Sequence, residues 1–391
     1  MNIAIIDWEF FGKQDIADAL SGMGHTITYF SHPDYDSRES ASFCQTLNDF
    51  LKQENADIVY SSNYFPLVST VCNTVNIPYV SWVYDCPHLS LFSATILNKC
   101  NFVFIFDSDI FRKLYAAGID TVYYLPLAAN VSRLCKMTPT ADIHRKLDAD
   151  ISFVGSLYNE KHNLFERFEG IGDYTRGYLE GIIDAQLKVS GYNFIEEVLL
   201  PDIVSDLQNT CPYTPNIDGV ETPEYIYAKY FIDRKITSIE RHNILKALSD
   251  NFSTKLYTHN RPDDMDKIEF VGPVDAYTTQ PYVFKCSKIN LNITLKSIQN
   301  GIPLRVFDIM GAGGFLMTNF QADMLDLFVP EEDFVFYDGI DDLIEKCSFY
   351  LRHEELRMQI AQNGYNKIKA HHTYEMRFKD IFDIMFRQVD R

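Results

Sequence analysis

The chain has no C-x-x-C pair: its eight cysteines (Cys44, Cys72, Cys86, Cys100, Cys135, Cys211, Cys286, Cys347) are scattered. Neither a zinc site of the usual ligand spacing nor a dithiol redox centre is therefore expected, and reduced, mostly buried thiols are. No apolar stretch approaches the roughly 20 residues that a membrane-spanning helix needs. The opening run Asn2-Ile3-Ala4-Ile5-Ile6 is strand-like, without the basic and apolar segments of a secretory leader, so a cytoplasmic address is the expectation. Positive charge is also short: 35 Lys and Arg against 54 Asp and Glu give a net charge of -19, spread along the chain. That balance disfavours nucleic acid or an anionic membrane as the principal partner. No Gln-, Ser- or Pro-rich tract argues for disorder.

What the chain does have is apolar surface for two cores. Its 391 residues are 46% hydrophobic, with 29 Phe and 24 Tyr, and that length predicts two domains. Short β-rich runs alternate with helical patterns over the first 130 residues, at Asn2 to Ile6, Thr26 to Phe30, Asp57 to Tyr60, Tyr79 to Tyr84, Phe102 to Phe106 and Thr121 to Leu125. Alternation of this kind is the signature of βαβ units and a buried parallel sheet. Phe43, Leu47, Phe50 and Leu51 share one helical face. A second series starts with the run at Ile151 and resumes at Thr254 to Tyr257, Ile268 to Val271, Ile289 to Ile293, Phe315 to Thr318 and Phe334 to Phe336. Between its first two members, 163–249 reads as a helical insertion, and helices are expected over 341–371 and 374–389. The fold class is thus α/β, with two Rossmann-like doubly wound domains facing across a cleft, because such sheets bind ligands at the carboxyl ends of their strands.

Two stretches could carry chemistry. In Asn300-Gly301-Ile302-Pro303-Leu304-Arg305-Val306-Phe307-Asp308-Ile309-Met310-Gly311-Ala312-Gly313-Gly314, Pro303 suits the first turn of a helix that the glycines end after barely two turns. Arg305 and Asp308 are the polar residues of that helix and share a face. Either the helix N-terminus meets a diphosphate while Arg305 adds charge and Asp308 accepts ribose hydroxyls, or the two residues form an intrahelical pair on a core helix. The other stretch, 150–161, is a strand followed by Gly155, Ser156 and then Lys161. The glycine allows a ligand close to the backbone and the lysine reaches a phosphate, or the segment is a tight turn with a solvated lysine.

Taken with Trp82-Val83-Tyr84-Asp85-Cys86-Pro87-His88, Phe104-Ile105-Phe106-Asp107, Leu125-Pro126-Leu127-Ala128, Asn363-Gly364-Tyr365 and His371-His372-Thr373-Tyr374, these stretches resemble the spore-maturation (CgeB-like) group of bacterial GT-B glycosyltransferases. The resemblance covers most of the chain outside the helical insertion. It implies an acceptor domain at 1–149, a nucleotide-sugar domain at 150–371 and a final helix at 372–391 that crosses back. The implied activity is transfer of a sugar from a UDP or dTDP sugar, as co-substrate and with no resident cofactor, to a hydroxyl of a glycan or glycoprotein. Related retaining enzymes use two glutamates eight positions apart; Asn300 and Asp308 stand there, so the sugar contact differs. Their diphosphate arginine and lysine correspond to Ser156 and Lys161, with Arg305 as a compensating cation. The implied donor set is Gly155, Ser156, Lys161, Gly272, Asn300, Gly301, Ile302, Pro303, Arg305 and Asp308, with the base near Val271-Gly272-Pro273.

No Asp-x-Asp pair sits at a strand end of the donor half; Asp107-Ser108-Asp109 has the spacing but lies in the acceptor half. Metal-independent transfer is expected, since a helix dipole and cations can neutralise a leaving diphosphate. The general base would be Glu9 or Asp7, in the loop after the first strand, or Asp85 or His88 after a later one. A solvated carboxylate is the alternative for Glu9, and a satisfied structural histidine for His88. His371 and His372 are read as a junction between the last helices. A nucleotide-sugar 2-epimerase and a catalytically silent sugar-binding scaffold are the rival functions.

Overall fold

The structure, a computed structural model, describes residues 1–160 and 163–389. Among these residues, two six-stranded parallel sheets form, each flanked by helices. The chain divides into two compact units, 1–128 with 214–222 and 373–391, and 129–213 with 223–372. The division falls at Ala128/Ala129 and not at the start of the second sheet's first strand. Residues 129–148 go with the second unit because the Ala129 amide donates to the His372 carbonyl at 3.0 Å and helix Ala141–Leu147 packs on helix Gln280–Cys286. None of the eight cysteines, all among the described residues, is in a disulfide; Cys135 is exposed and Cys44, Cys100 and Cys211 are half-buried, so the thiols are less uniformly buried than their spacing suggests.

In the first unit the strands are β1 (Asn2–Ile6), β2 (Thr26–Phe30), β3 (Ile58–Ser62), β4 (Tyr79–Val83), β5 (Asn101–Ile105) and β6 (Val122–Tyr124), in the order β2-β1-β3-β4-β5-β6. β3, β4 and β5 are buried at every position, which is why apolar and aromatic residues occupy adjacent positions in them instead of alternating with charged ones. The last helix, Tyr374–Val389, belongs to this unit. Tyr374 and Phe378 pack their rings on Trp82 at 5.8 and 6.1 Å, and Arg377 Nε donates to the Pro126 carbonyl at 2.8 Å.

The second unit contains β7 (Ala149–Val154), β8 (Thr254–Tyr257), β9 (Glu269–Phe270), β10 (Ser287–Asn292), β11 (Leu316–Asn319) and β12 (Val335–Tyr337), in the order β12-β11-β10-β7-β8-β9. The winding direction reverses between β7 and β10, which makes their carboxyl ends the topological switch point where open α/β sheets bind ligands. The stretch between β7 and β8 is mostly helical. Its last part is a π-helical turn, Tyr227–Ile232, running into helix Asp233–Asn251, while 214–222 goes to the first unit. The continuous helix expected over 341–371 is two, Gly339–Arg352 and Glu354–His371. At the break, Arg357 Nη1 donates to the Tyr350 carbonyl at 2.7 Å, so a side chain satisfies an end-of-helix acceptor.

Candidate functional site

At the switch point one side chain ties the two strands together. Arg241, 8% exposed, donates from Nη1 to the Ser156 carbonyl at 2.6 Å and from Nε to the Ile293 carbonyl at 3.2 Å. Its guanidinium lies over the Phe153 and Tyr158 rings at 5.4 and 5.0 Å. Burial lowers its pKa, opposed by nearby Tyr158 and Glu240. Arg241 is on the inward stripe of helix Asp233–Asn251 with the buried Thr237, Ile244 and Leu248. Thr237 Oγ1 also accepts the Lys296 amide at 2.9 Å, so this stripe holds the segment that follows β10.

That segment, 293–303, is fixed from its other side by β11 and the residues after it. The Thr294 amide donates to Asn319 Oδ1 at 2.9 Å, Gln321 Nε2 to the Gly301 carbonyl at 3.1 Å, and the Asp323 amide to the Asn300 carbonyl at 3.1 Å. Gly301 and Ile302 are buried. Helix Leu304–Gly311 then begins with Pro303 as its N-cap, at φ -67°, ψ 152°. Pro303 stands one position earlier than the first-turn place expected of it, because its extended ψ turns the chain into the helix. Among the described residues no side chain caps this end. At the other end Gly313 takes φ +81°, and a Cβ on Gly311 would lie 2.7 Å from Ala129 Cβ, so these glycines permit the tight stop and the close packing.

Arg305 and Asp308 are both half-buried on this helix. Arg305 Nη1 is buried and has no hydrogen-bond partner among the described residues, and the guanidinium sits 5.7 Å from the Phe284 ring centre. Burial lowers the Arg305 pKa; Asp308 favours its charge and Arg241 opposes it. Gln280 Nε2 donates to Asp308 Oδ2 at 3.5 Å. Two mutually repelling guanidinium groups, an unmet N–H and an uncapped helix N-terminus make a place where a phosphate-like anion relieves several costs together.

The remaining expected donor residues are placed as follows. Gly155 follows β7, and the Ser156 hydroxyl donates to Glu160 Oε1 at 3.0 Å and accepts the Tyr158 amide at 3.0 Å. Gly272 follows β9 with φ +97° and open space where a Cβ would stand. Lys161 lies outside the described residues. Arg241 was not among the sequence candidates, although a lone arginine on an otherwise apolar helical stripe was a readable signal.

In the first unit, the expected base candidates follow β1 and β4 but differ in availability. Both Asp7 oxygens accept from Lys13 Nζ, at 2.6 and 2.7 Å. Glu9 is exposed, with φ +61°. Asp85, also exposed, accepts from Asn63 Nδ2 at 2.6 Å. His88 Nε2 lies 3.1 Å from the Tyr64 amide nitrogen and 2.9 Å from its carbonyl oxygen, which matches the satisfied structural histidine. Asp107 caps helix Ser108–Ala116 by accepting the Asp109 amide, so the Asp-x-Asp spacing there is a helix cap. His372 is buried, with its ring 5.1 and 6.0 Å from those of Phe328 and Phe307, a packed junction as read from the sequence.

Residues 237–383 match the glycosyl transferase-like family model. No curated protein matches the chain. A glycosyltransferase from Rickettsia africae is similar in structure at 11% identity and TM-score 0.54, over 98% of this chain and 97% of its own. The sucrose-phosphate synthase of Thermosynechococcus elongatus aligns at 11% identity and TM-score 0.55, over 100% and 99%. Anabaena HepE, solved in complex with UDP, aligns at 10% identity and TM-score 0.55, over 99% and 100%. The fold is GT-B. Within this GT-B chain the matched family segment begins at Thr237, and so contains Arg241, Arg305 and Asp308. Among the described residues no helix is long and apolar enough to cross a membrane.

Proposed function

We propose that the chain is a nucleotide-sugar-dependent glycosyltransferase, with the donor diphosphate received by the N-terminus of helix Leu304–Gly311 and by Arg305. The observation that carries this reading is the buried Arg305 Nη1, which has no partner among the described residues, beside a second guanidinium at the strand-end switch point. The family match over 237–383 and the structural likeness to a protein solved with UDP support it. Asp308 takes the ribose hydroxyls, the backbone at Gly272 approaches the base, and the base is uracil or thymine. The acceptor is a hydroxyl of a glycan or glycoprotein, deprotonated from the loops after β1 or β4. Of the candidates there, exposed Glu9 is the freest, because Asp7 is held by Lys13 and His88 by the Tyr64 backbone. Transfer needs no metal, the site works in the bacterial cytoplasm, and the chain falls in the CgeB-like group.

A thermal-shift panel of nucleotide sugars tests the reading. A ligand at a hundred times its Kd stabilises the folded state by about 2.7 kcal/mol, so one UDP or dTDP sugar raises the melting temperature clearly above the free-sugar controls. A panel in which no nucleotide sugar does so contradicts it. Incubation with the best donor alone then separates the rivals: a C2 epimer without acceptor points to an epimerase, and binding with neither transfer nor donor hydrolysis points to a silent scaffold.

A further inference from the structure

Outside the donor residues, the second unit contains an open, shallow pocket between the insertion and the carboxyl ends of β10 and β11. Ser190, Gly191, Tyr192 and Asn193 form one wall; Glu240, Thr294, Lys296, Gln299, Asn319 and Phe320 are among the residues opposite. It includes none of Gly155, Ser156, Arg305 or Asp308. Its floor is rigidly built: Asn193 Nδ2 donates to the Lys296 carbonyl at 2.8 Å, and Thr237 takes the Lys296 amide. Gly191, at φ +72°, lies against the Phe320 ring, where a Cβ would stand 2.9 Å from Cδ1.

Two features of the lining carry binding chemistry. Glu240 Oε2 is buried without a partner among the described residues, although Oε1 of the same carboxylate is 3.4 Å from Lys296 Nζ. A buried acceptor left unmet in an otherwise hydrogen-bonded framework calls for a donor. Beside this carboxylate and ammonium stand the rings of Tyr192, 55% exposed, and Phe320. A carboxylate and an ammonium that together accept from and donate to hydroxyls, next to an aromatic face that meets C–H groups, form the chemistry that recognises a pyranose ring.

We propose that this pocket is a carbohydrate-binding subsite, in which ring hydroxyls pair with Glu240 and Lys296 while the ring lies against Tyr192 or Phe320. It is separate from the diphosphate site and gives the helical insertion a role in holding a glycan. The test is saturation-transfer NMR on the full chain, without nucleotide, using glucose, galactose, N-acetylglucosamine and maltose. At least one saccharide gives a signal, which Glu240→Gln and Lys296→Met each reduce at least fivefold while UDP affinity, measured in parallel, stays within twofold of wild type. Tyr192→Ala, which removes the Tyr192 hydroxyl's bond to Glu197 but keeps the Asn193 and Thr237 bonds to the Lys296 backbone, weakens the same signal. No signal from any of the four sugars, or a signal that survives all three substitutions, overturns the proposal. So does a signal that disappears only together with UDP affinity, since that assigns the sugar to the donor site.

Discussion

Arg241 Nη1 and the Ser156 carbonyl oxygen are 2.6 Å apart, and through this contact a residue of the insertion's last helix fixes the loop at the end of β7. The same guanidinium reaches the Ile293 carbonyl at the end of β10, so both sides of the switch point depend on it. Arg241→Met keeps the volume but removes every donor, leaving two carbonyls unmet. With each buried orphaned group costing about 1–3 kcal/mol, the substitution destabilises the second unit by about 2–6 kcal/mol and weakens UDP binding. Urea denaturation followed by tryptophan-independent circular dichroism measures the first effect, and calorimetric titration with UDP the second.

Gly311 supplies a purely steric prediction. A Cβ there would stand 2.7 Å from Ala129 Cβ, which moves only with its backbone, and 3.2 Å from Leu134 Cδ1. Gly311→Ala costs about 1–3 kcal/mol by overpacking, despite alanine's better helix propensity. Gly177→Ala, in helix Asp173–Gln186 with nothing within 4 Å of the added carbon, is the control and is neutral or stabilising by up to about 1 kcal/mol. Melting temperatures of the two variants in opposite directions bear this out.

Protonation of His88 makes stability fall in mild acid. Burial lowers its pKa below the ordinary 6.5, Arg38 pushes the same way, and the Tyr64 carbonyl and Asp85 only partly compensate. The unfolded chain therefore binds more protons than the folded one just below pH 6.5, so stability is complete above that value and declines as pH drops through the window toward the lowered pKa. His25, lowered by burial and the N-terminal charge, adds to the same slope. Urea midpoints at pH 7.5 and 5.5 record the decline, and His88→Gln makes the difference between them smaller.

Much of this architecture could be read from residue patterns, for identifiable reasons. Thr254–Tyr257 and Asn2–Ile6 fall where expected because short β-rich runs bounded by polar residues have few alternatives. β10 extends back to Ser287, beyond the expected Ile289, since pairing with Ala149 in β7 recruits residues that carry no apolar signal. The π-helical turn at Tyr227–Ile232 was illegible: it accompanies the buried Lys229–Asp233 pair at 3.3 Å, and local periodicity does not encode burial of a charge. Pro303, Arg305 and Asp308 stood out as polar interruptions of an apolar helix beside glycines. The linkage of Arg241 to Ser156 and Ile293 is a long-range contact, and only its position on an apolar stripe hinted at it.

Metal independence is a separate expectation, resting on the cationic surroundings of the helix N-terminus. Once a donor and acceptor pair is found, transfer in excess EDTA proceeds at an unchanged rate within about twofold, and added Mg²⁺ or Mn²⁺ does not raise it by an order of magnitude. Abolition by chelator and restoration by one divalent ion would place charge neutralisation on a metal instead.

The central claim is that Arg305 meets the donor's phosphates, and calorimetric titration of UDP into wild type and Arg305→Ala tests it most directly. Loss of a charge-assisted hydrogen bond worth about 1.5–3 kcal/mol predicts a UDP Kd raised by roughly 10- to 150-fold, with uridine, which carries no phosphate, affected far less. Equal UDP affinity in the two proteins, each shown to be folded, would contradict the account.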